Sequence, residues 1–178
     1  MVWHCEVSQN WIPSTIQLEQ GDNFESFISE NLEPYKNGLS IYDLEIHRGR
    51  EIGFLDSELD LIAYVDWAYL YNTENFVLVT PEMVCIDHDY RGESLALELY
   101  RYTMSFNWVI QAADIFNIQS KGGSALWRKL QSVPDITMMV KESIFHPAIE
   151  VKSFSEISGF DIFNSDAVIM CHTMGDSK

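Results

Sequence analysis

The sequence predicts an α/β (α+β) domain with a mostly antiparallel N-terminal sheet and a second half in the order β-α-β-α-β. Three observations support this prediction. Segments with β character follow one another from Leu39 to Ile86, a segment with helical spacing of apolar residues begins at Leu95, and strand-like and helical segments alternate after it. Consecutive strands favour an antiparallel meander, and alternating elements favour a sheet covered by helices.

The N-terminal region gives one helix prediction. Asp22 followed by Glu25 has the spacing of a capping box, Phe24 begins an apolar face, and Pro34 ends the segment. We therefore predict a short helix starting at Asp22. Residues 1–21 receive no assignment.

Four successive segments then have the alternation or the aromatic and β-branched content of strands. Their bounds are Ile41–His47, Ile52–Leu55, Leu59–Tyr71 and Phe76–Ile86. The tripeptide from Arg48 to Arg50 is predicted to be a tight connection. Pro81 lies inside the fourth segment, which predicts an edge or a bulge there because proline cannot donate to a ladder.

The second half alternates between helix and strand patterns. One apolar face of the helix after Ile86 comprises Leu95, Leu99, Tyr102, Phe106 and Val109. The following elements are predicted to be a strand, a helix and two further strands: Asp114–Gln119, Gly123–Gln131, Ile136–Lys141 and Ala167–Thr173. The last strand is apolar on both faces, which indicates burial.

Composition favours one domain spanning residues 1–178 and excludes several function classes. The chain has 47% hydrophobic residues and a net charge of −16, with 27 acidic and 11 basic residues. This charge argues against nucleic acid or an anionic membrane as a partner and favours a basic molecule, although acidity that only confers solubility is an equal alternative. Cys5, Cys85 and Cys171 lack paired spacing, and the histidines are scattered, so we predict neither disulfides nor a metal site.

The sequence has no feature of a secretory signal in Met1–Asn10 and no run of 18 apolar residues. We therefore expect a cytoplasmic protein.

One hexapeptide connects the fourth strand to the next helix, and it carries a resemblance. Arg91-Gly92-Glu93-Ser94-Leu95-Ala96 is similar to the acyl-CoA loop of the GNAT family of N-acetyltransferases, which reads Arg or Gln, two residues, Gly, one residue, then Gly or Ala. Ser94 stands where that family has its central glycine. A loop of this kind places backbone N–H groups at a helix N-terminus, where anions such as phosphate bind.

A second segment extends the resemblance. Ser120-Lys121-Gly122-Gly123-Ser124-Ala125-Leu126-Trp127-Arg128-Lys129 keeps the frame of the family's downstream motif. In that frame Ser120 occupies an asparagine position, and Trp127 replaces the tyrosine that often protonates the departing thiolate. The resemblance covers residues 39–141.

The resemblance implies a GNAT-like fold, acetyl-CoA as co-substrate and transfer of an acetyl group to an amine. It also implies a set of residues that bind acetyl-CoA. These are Val84, Cys85 and Ile86, whose backbone N–H groups would polarise the thioester carbonyl, then Arg91, Gly92, Glu93, Ser94, Leu95, Ala96, Ser120 and Trp127.

Two residues are candidates for the base that deprotonates the acceptor amine. Glu82 lies on the strand beside the expected bulge, where family members often place a carboxylate base; its structural alternative is an exposed strand carboxylate. His88 follows at the strand end, and an imidazole titrates near neutral pH. Asp87 and Asp89 flank it, and the structural alternative for this cluster is a turn whose aspartates cap the following helix. Cys85 is interpreted as a small packing residue rather than a nucleophile.

Three functions therefore stay open. The first is an acetyl-CoA-dependent N-acetyltransferase acting on a cationic protein or small-molecule amine. The second is a catalytically silent GNAT-like protein that binds or inhibits a protein partner, and the third is an acidic mimic of nucleic acid. The glycines with Leu126 and Trp127 also resemble GNAT-type proteins of bacteriophages, which implies a target in the host cytoplasm. A homodimer is a further open alternative.

Overall fold

The computed structural model describes residues 11–74, 76–112, 121–141, 147, 149–151 and 168–173. Predictions for residues 1–10, for the strand Asp114–Gln119 and for Ser120 lie outside these residues.

Four α-helices occur in the described part of the chain. They are α1 Thr15–Gln20, α2 Phe24–Ser29, α3 Leu95–Met104 and α4 Lys121–Gln131. Single 3-10 turns lie at Gly21–Asn23, Lys36–Gly38 and His88–Tyr90. No helix among these residues has the length and apolar character needed to cross a bilayer.

The strands of the same residues form a mixed sheet. They are β1 Glu33–Pro34, β2 Ser40–Ile46, β3 Gly49–Leu55, β4 Leu61–Thr73, β5 Phe76–Ile86, β6 Val109–Gln111, β7 Ile136–Lys141, β8 Ile149–Val151 and β9 Val168–Thr173. Their order is β1-β2-β3-β4-β5-β6-β9-β7-β8. β5 and β6 are parallel. The pairs β1–β2, β2–β3, β3–β4, β6–β9, β7–β9 and β7–β8 are antiparallel. The predicted α/β class with a mostly antiparallel sheet is confirmed.

Internal contacts group the chain into two compact units. The first unit comprises residues 1–68 and 82–99, and the second comprises residues 69–81 and 100–178. The prediction of a single domain spanning residues 1–178 stays a prediction.

The first unit builds its core between α1, α2 and the strands β2 to β4. Its buried members are Trp11, Ile16, Phe24, Ile28, Tyr42, Leu55, Leu61 and Tyr64. Trp11 meets Tyr64 edge to face with 5.8 Å between ring centroids, a favourable aromatic geometry. Ser14 caps α1 by accepting the Gln17 N–H at 2.9 Å.

The second unit contains the parallel pair and the C-terminal strands. Leu78 pairs with Val109 and Val79 with Ile110, so the parallel ladder lies just before Pro81. β9 lies between β6 and β7 and is antiparallel to both. The described residues of β9 include Ile169, Met170 and Cys171, all buried, as the apolar pattern predicted.

Two sequence predictions about helices are wrong. The helix predicted to extend to Val109 ends at Met104, because Asn107 takes a left-handed φ of 61° and the chain re-enters a strand at Val109. Phe106 is consequently 37% exposed instead of continuing the buried face. The second helix begins at Phe24, after a 3-10 turn, so Asp22 does not cap it.

Candidate functional site

The loop between β5 and α3 (residues 87–94, the β5–α3 loop) is fixed at its start by aspartate 87. The Asp87 N–H donates to the Ile62 carbonyl on β4 at 2.8 Å, and the Asp87 carboxylate accepts the Asp89 N–H at 3.0 Å. Tyr90 then donates its hydroxyl to Asp56 Oδ2 at 2.7 Å. Asp87 therefore caps the 3-10 turn His88–Tyr90, a local role close to the structural alternative in which the aspartates of this turn cap the following helix.

The second half of this loop has an unusual backbone. Gly92 has a φ of 96° and Ser94 a φ of 69°, both in the left-handed region. The Ser94 carbonyl accepts the Glu98 N–H at 3.1 Å and so opens α3. For a residue with a Cβ the left-handed conformation costs about 1–2 kcal/mol. Ser94 thus adopts the conformation that glycine favours, at the position where the resemblance places a glycine.

The side chains of the loop leave this backbone open. Arg91, Gly92 and Glu93 are exposed, Ser94 and Ala96 are half-buried, and Leu95 is buried. A Cβ built on Gly92 would meet no atom within 4 Å. The first N–H groups of α3 have no partner inside the helix, and N–H groups around left-handed residues form concave sites for anions. The binding of a pyrophosphate at this backbone stays a prediction.

Charge around the loop is mixed. Arg91 is the one arginine or lysine among residues 87–96, and its Nε donates to the Ile86 carbonyl at 3.3 Å. Asp87, Asp89 and Glu93 bring negative charge to the same segment. An anion there would depend on Arg91 and on backbone N–H groups for its attraction.

Both predicted base candidates lie at the surface of the first unit. Glu82 is exposed on β5, next to Pro81. The His88 side chain is 61% exposed, and its Nδ1 lies 3.3 Å from Asp89 Oδ1. Solvent can therefore exchange protons with either side chain, and their catalytic roles stay predictions.

The end of β5 carries the three residues whose backbone N–H groups are predicted to polarise the thioester carbonyl. Val84, Cys85 and Ile86 are each half-buried. Burial raises the pKa of the Cys85 thiol, which also lies against the Tyr64 hydroxyl. A raised thiol pKa disfavours the reactive thiolate, which agrees with the interpretation of Cys85 as a packing residue.

Tyr64 ties this strand end to the N-terminal segment. Its hydroxyl lies 2.8 Å from the Ile12 carbonyl, 3.0 Å from the Pro13 carbonyl and 3.1 Å from the Met83 sulfur. The segment before α1 therefore lies against β4 and β5 next to Cys85.

Trp127, predicted to contact acetyl-CoA, is a core residue of the second unit. It is 2% exposed and meets Tyr100 edge to face with 6.0 Å between ring centroids. An indole N–H does not release its proton at useful pH. Trp127 is therefore a packing side chain, and its predicted contact with acetyl-CoA stays a prediction.

The sequence prediction missed a buried carboxyl pair, Glu51 on β3 and Asp66 on β4. Glu51 is 0% exposed and Asp66 is 4% exposed. The Tyr42 hydroxyl donates to Glu51 Oε1 at 2.5 Å, the Ile16 N–H donates to Glu51 Oε2 at 3.2 Å, and the Thr15 hydroxyl donates to Asp66 Oδ2 at 2.7 Å. The available sequence signal was a single acid within each of two apolar strands.

Local geometry places Tyr42 against this pair. Tyr42 is opposite Gly53 in the β2–β3 register, and a Cβ at Gly53 would lie 2.4 Å from the Tyr42 ring. Glycine at this position therefore admits the ring. Burial, followed by the hydrogen bond that protonated Glu51 can donate to Asp66, raises the pKa of Glu51 to about 8.

Comparisons with solved structures found similar chains at low identity. An acetyltransferase of the GNAT family from Staphylococcus aureus has 10% identity, with 85% of this chain and 76% of that chain covered and a TM-score of 0.41. A GCN5-related N-acetyltransferase from Kribbella flavida has 11% identity, with 85% and 77% covered and a TM-score of 0.38. No family profile and no curated protein matches the chain. Function is a separate matter, because one fold serves many activities.

Proposed function

We propose that this protein is an N-acetyltransferase that uses acetyl-CoA and acts on a cationic amine. The observation that supports this proposal best is the left-handed backbone of Gly92 and Ser94 directly before α3. This backbone lies at the start of a helix, where N–H groups attract anions, within the segment Arg91 to Ala96 that resembles an acyl-CoA loop. The net charge of −16 favours a positively charged acceptor.

The chemistry assigns distinct tasks to residues of the first unit. Arg91 and the backbone N–H groups of residues 92–96 hold the pyrophosphate. Backbone N–H groups of Val84 to Ile86 polarise the thioester carbonyl, because donors aimed at the developing oxyanion stabilise the tetrahedral intermediate. The amine attacks only in its neutral form, so Glu82 or His88 accepts its proton, directly or through water. Water protonates the departing thiolate, since Trp127 cannot.

Binding of acetyl-CoA is the first test and is measured by isothermal titration calorimetry. Arg91→Ala is expected to weaken binding by about tenfold or more, because a charge-assisted contact to phosphate is lost. Arg48→Ala is the matched control, since Arg48 is an exposed arginine of the same unit in the β2–β3 turn. Equal losses in both variants, or no binding by the folded wild-type protein, would contradict the proposal.

Transfer is then measured as the release of free CoA thiol with a panel of primary amines. Glu82→Gln and His88→Gln separate the two base candidates. The variant that removes the base is expected to lose about two orders of magnitude or more in kcat while acetyl-CoA binding is retained. Activity on polyamines or lysine-rich peptides, but not on neutral amines such as amino sugars, would support the cationic acceptor.

A second function is favoured by one observation, the burial of Trp127. A protein that has lost its acid but kept its fold would bind acetyl-CoA or a protein partner without turnover. Tight acetyl-CoA binding without thiol release for any amine in the panel would support this alternative over the first.

A further inference from the structure

The carboxyl pair lies at directly opposed positions of two strands. Glu51 and Asp66 are register partners in the antiparallel pair β3–β4. Partners of this kind have their Cβ atoms about 4.5–5.5 Å apart on the same face of a sheet. The two carboxyl groups are therefore close neighbours, and both are buried.

In the part of the chain that the structure describes, the groups around the Glu51–Asp66 pair are acids and neutral donors. The titratable side chains that face it are Tyr42 on β2, Tyr64 on β4 and Cys85 on β5, and each of them is neutral when protonated. From α1 the pair accepts hydrogen bonds from the Thr15 hydroxyl and the Ile16 N–H. Arg50, adjacent to Glu51 in the chain, points to the opposite face of β3 and is paired with Asp43.

One atom of the pair indicates where a proton resides. Among the described residues, the Oδ1 atom of Asp66 is buried and has no hydrogen-bond partner. Two adjacent buried carboxylates repel each other, and a buried acceptor without a donor is costly. A proton on Glu51 removes both penalties, because Glu51 then donates to Asp66.

We infer that Glu51 and Asp66 share one proton and act as a pH-sensitive clasp that holds residues 14–16, the start of α1, against β2, β3 and β4. While the proton is present, the pair accepts hydrogen bonds from Thr15 and Ile16 as a single anion. Loss of the proton creates two buried negative charges, and no cation of the described residues faces them. The start of α1 is then released, because opening admits water to both carboxylates. This device does not depend on acetyl transfer.

The test is an NMR titration of the side-chain carboxyl carbons in uniformly labelled protein between about pH 4 and pH 10. One group of the pair is expected to titrate with a midpoint above about 7, and the Ile16 amide proton shift is expected to move with the same midpoint. In Glu51→Gln both changes should disappear, because glutamine keeps a donor and an acceptor without titrating. Glu45→Gln, at an exposed carboxyl on β2, is the matched control and should leave both midpoints unchanged.

Hydrogen exchange provides the structural readout. Protection of the Ile16 amide, corrected for intrinsic exchange, should fall by about tenfold or more between about pH 6 and pH 9 in the wild type and stay constant in Glu51→Gln. Should Glu51→Gln fail to fold, Asp66→Asn replaces it, and the Glu51 midpoint should then fall. Ordinary acidic midpoints for both carboxyls, or loss of Ile16 protection with the same midpoint in Glu51→Gln, would overturn the inference.

Discussion

The β5–α3 loop and the Glu51–Asp66 pair are two polar regions of the first unit that hold their charges in opposite ways. In the loop, Arg91 and Glu93 are exposed, so water solvates them and the conformational cost lies in the backbone. In the pair, Glu51 and Asp66 are direct register partners and the cost lies in desolvation, which hydrogen bonds and a retained proton offset. Carboxylates thus serve as solvated surface groups in the loop and as a titrating structural element in the pair.

Truncation of Glu51 should change stability more than any other substitution considered for these two regions. Glu51→Ala removes the acceptor of the Tyr42 hydroxyl and the Ile16 N–H and leaves Asp66 buried. The free energy of unfolding should fall by about 3 kcal/mol or more, because several buried polar groups lose their partners. Urea unfolding measures it, and Glu51→Gln, which mimics the protonated acid, should lose only about 1 kcal/mol. Equal losses in the two variants would contradict the shared proton.

The next effect is a pH dependence with a defined sign. The pKa of Glu51 is raised from 4.5 to about 8, so the folded state holds more protons than the unfolded state between these values. Its contribution to stability is complete below pH 4.5 and is lost as the pH rises to about 8. The free energy of unfolding should therefore fall by up to about 1.4 kcal/mol per pH unit in this window.

Other carboxyl groups also titrate in acid, so the informative quantity is the difference between wild type and Glu51→Gln at each pH. That difference should change across the window. A constant difference would show that Glu51 ionises alike in the folded and unfolded states.

Substitutions of Ser94 in the β5–α3 loop should change the free energy of unfolding by a smaller amount. Ser94→Gly should raise the free energy of unfolding by about 0.5–1 kcal/mol, because glycine occupies the left-handed region without strain. Ser94→Val should lower it by at least as much, since a β-branched side chain resists a positive φ. Acetyl-CoA affinity should be retained in the glycine variant and reduced in the valine variant. A glycine variant that is less stable than the wild type would contradict the strained backbone.

The smallest effect concerns the tie between the loop and the β3–β4 turn. The hydrogen bond to Asp56 raises the pKa of Tyr90 to about 12. The difference in phenolate absorbance between wild type and Tyr90→Phe isolates this residue from the other tyrosines. In Asp56→Asn the midpoint should fall toward the ordinary value of 10, and stability should change by only about 0.5–1 kcal/mol. An unchanged midpoint would mean that this hydrogen bond is absent in solution.

The loop was predictable because its signal is contiguous. Residues Arg91 to Ala96 carry the motif within six positions, directly between an apolar strand and an amphipathic helix. The left-handed conformation at Ser94 was not predictable, since serine has no intrinsic preference for it. The end of α3 was missed for a related reason: helical spacing continues to Phe106 and Val109, but the backbone at Asn107 turns.

The carboxyl pair was not predictable, because it depends on strand register. Glu51 and Asp66 become neighbours only when β3 and β4 pair so that these two residues face each other. A shift of one residue would place one of them on the opposite face of the sheet. For Trp127 the sequence predicted only its place in the motif frame. Its burial against Tyr100 was not predictable, because that burial follows from tertiary packing.

The clasp at the start of α1 has a consequence for handling the protein. A chain with a net charge of −16 is suited to purification by anion-exchange chromatography in alkaline buffer. In such a buffer the Glu51–Asp66 pair loses its proton. Backbone freed near Thr15 is the kind of site that contaminating proteases cleave, so such a preparation should accumulate a species cleaved near Thr15. Purification in mildly acidic buffer should yield the intact chain.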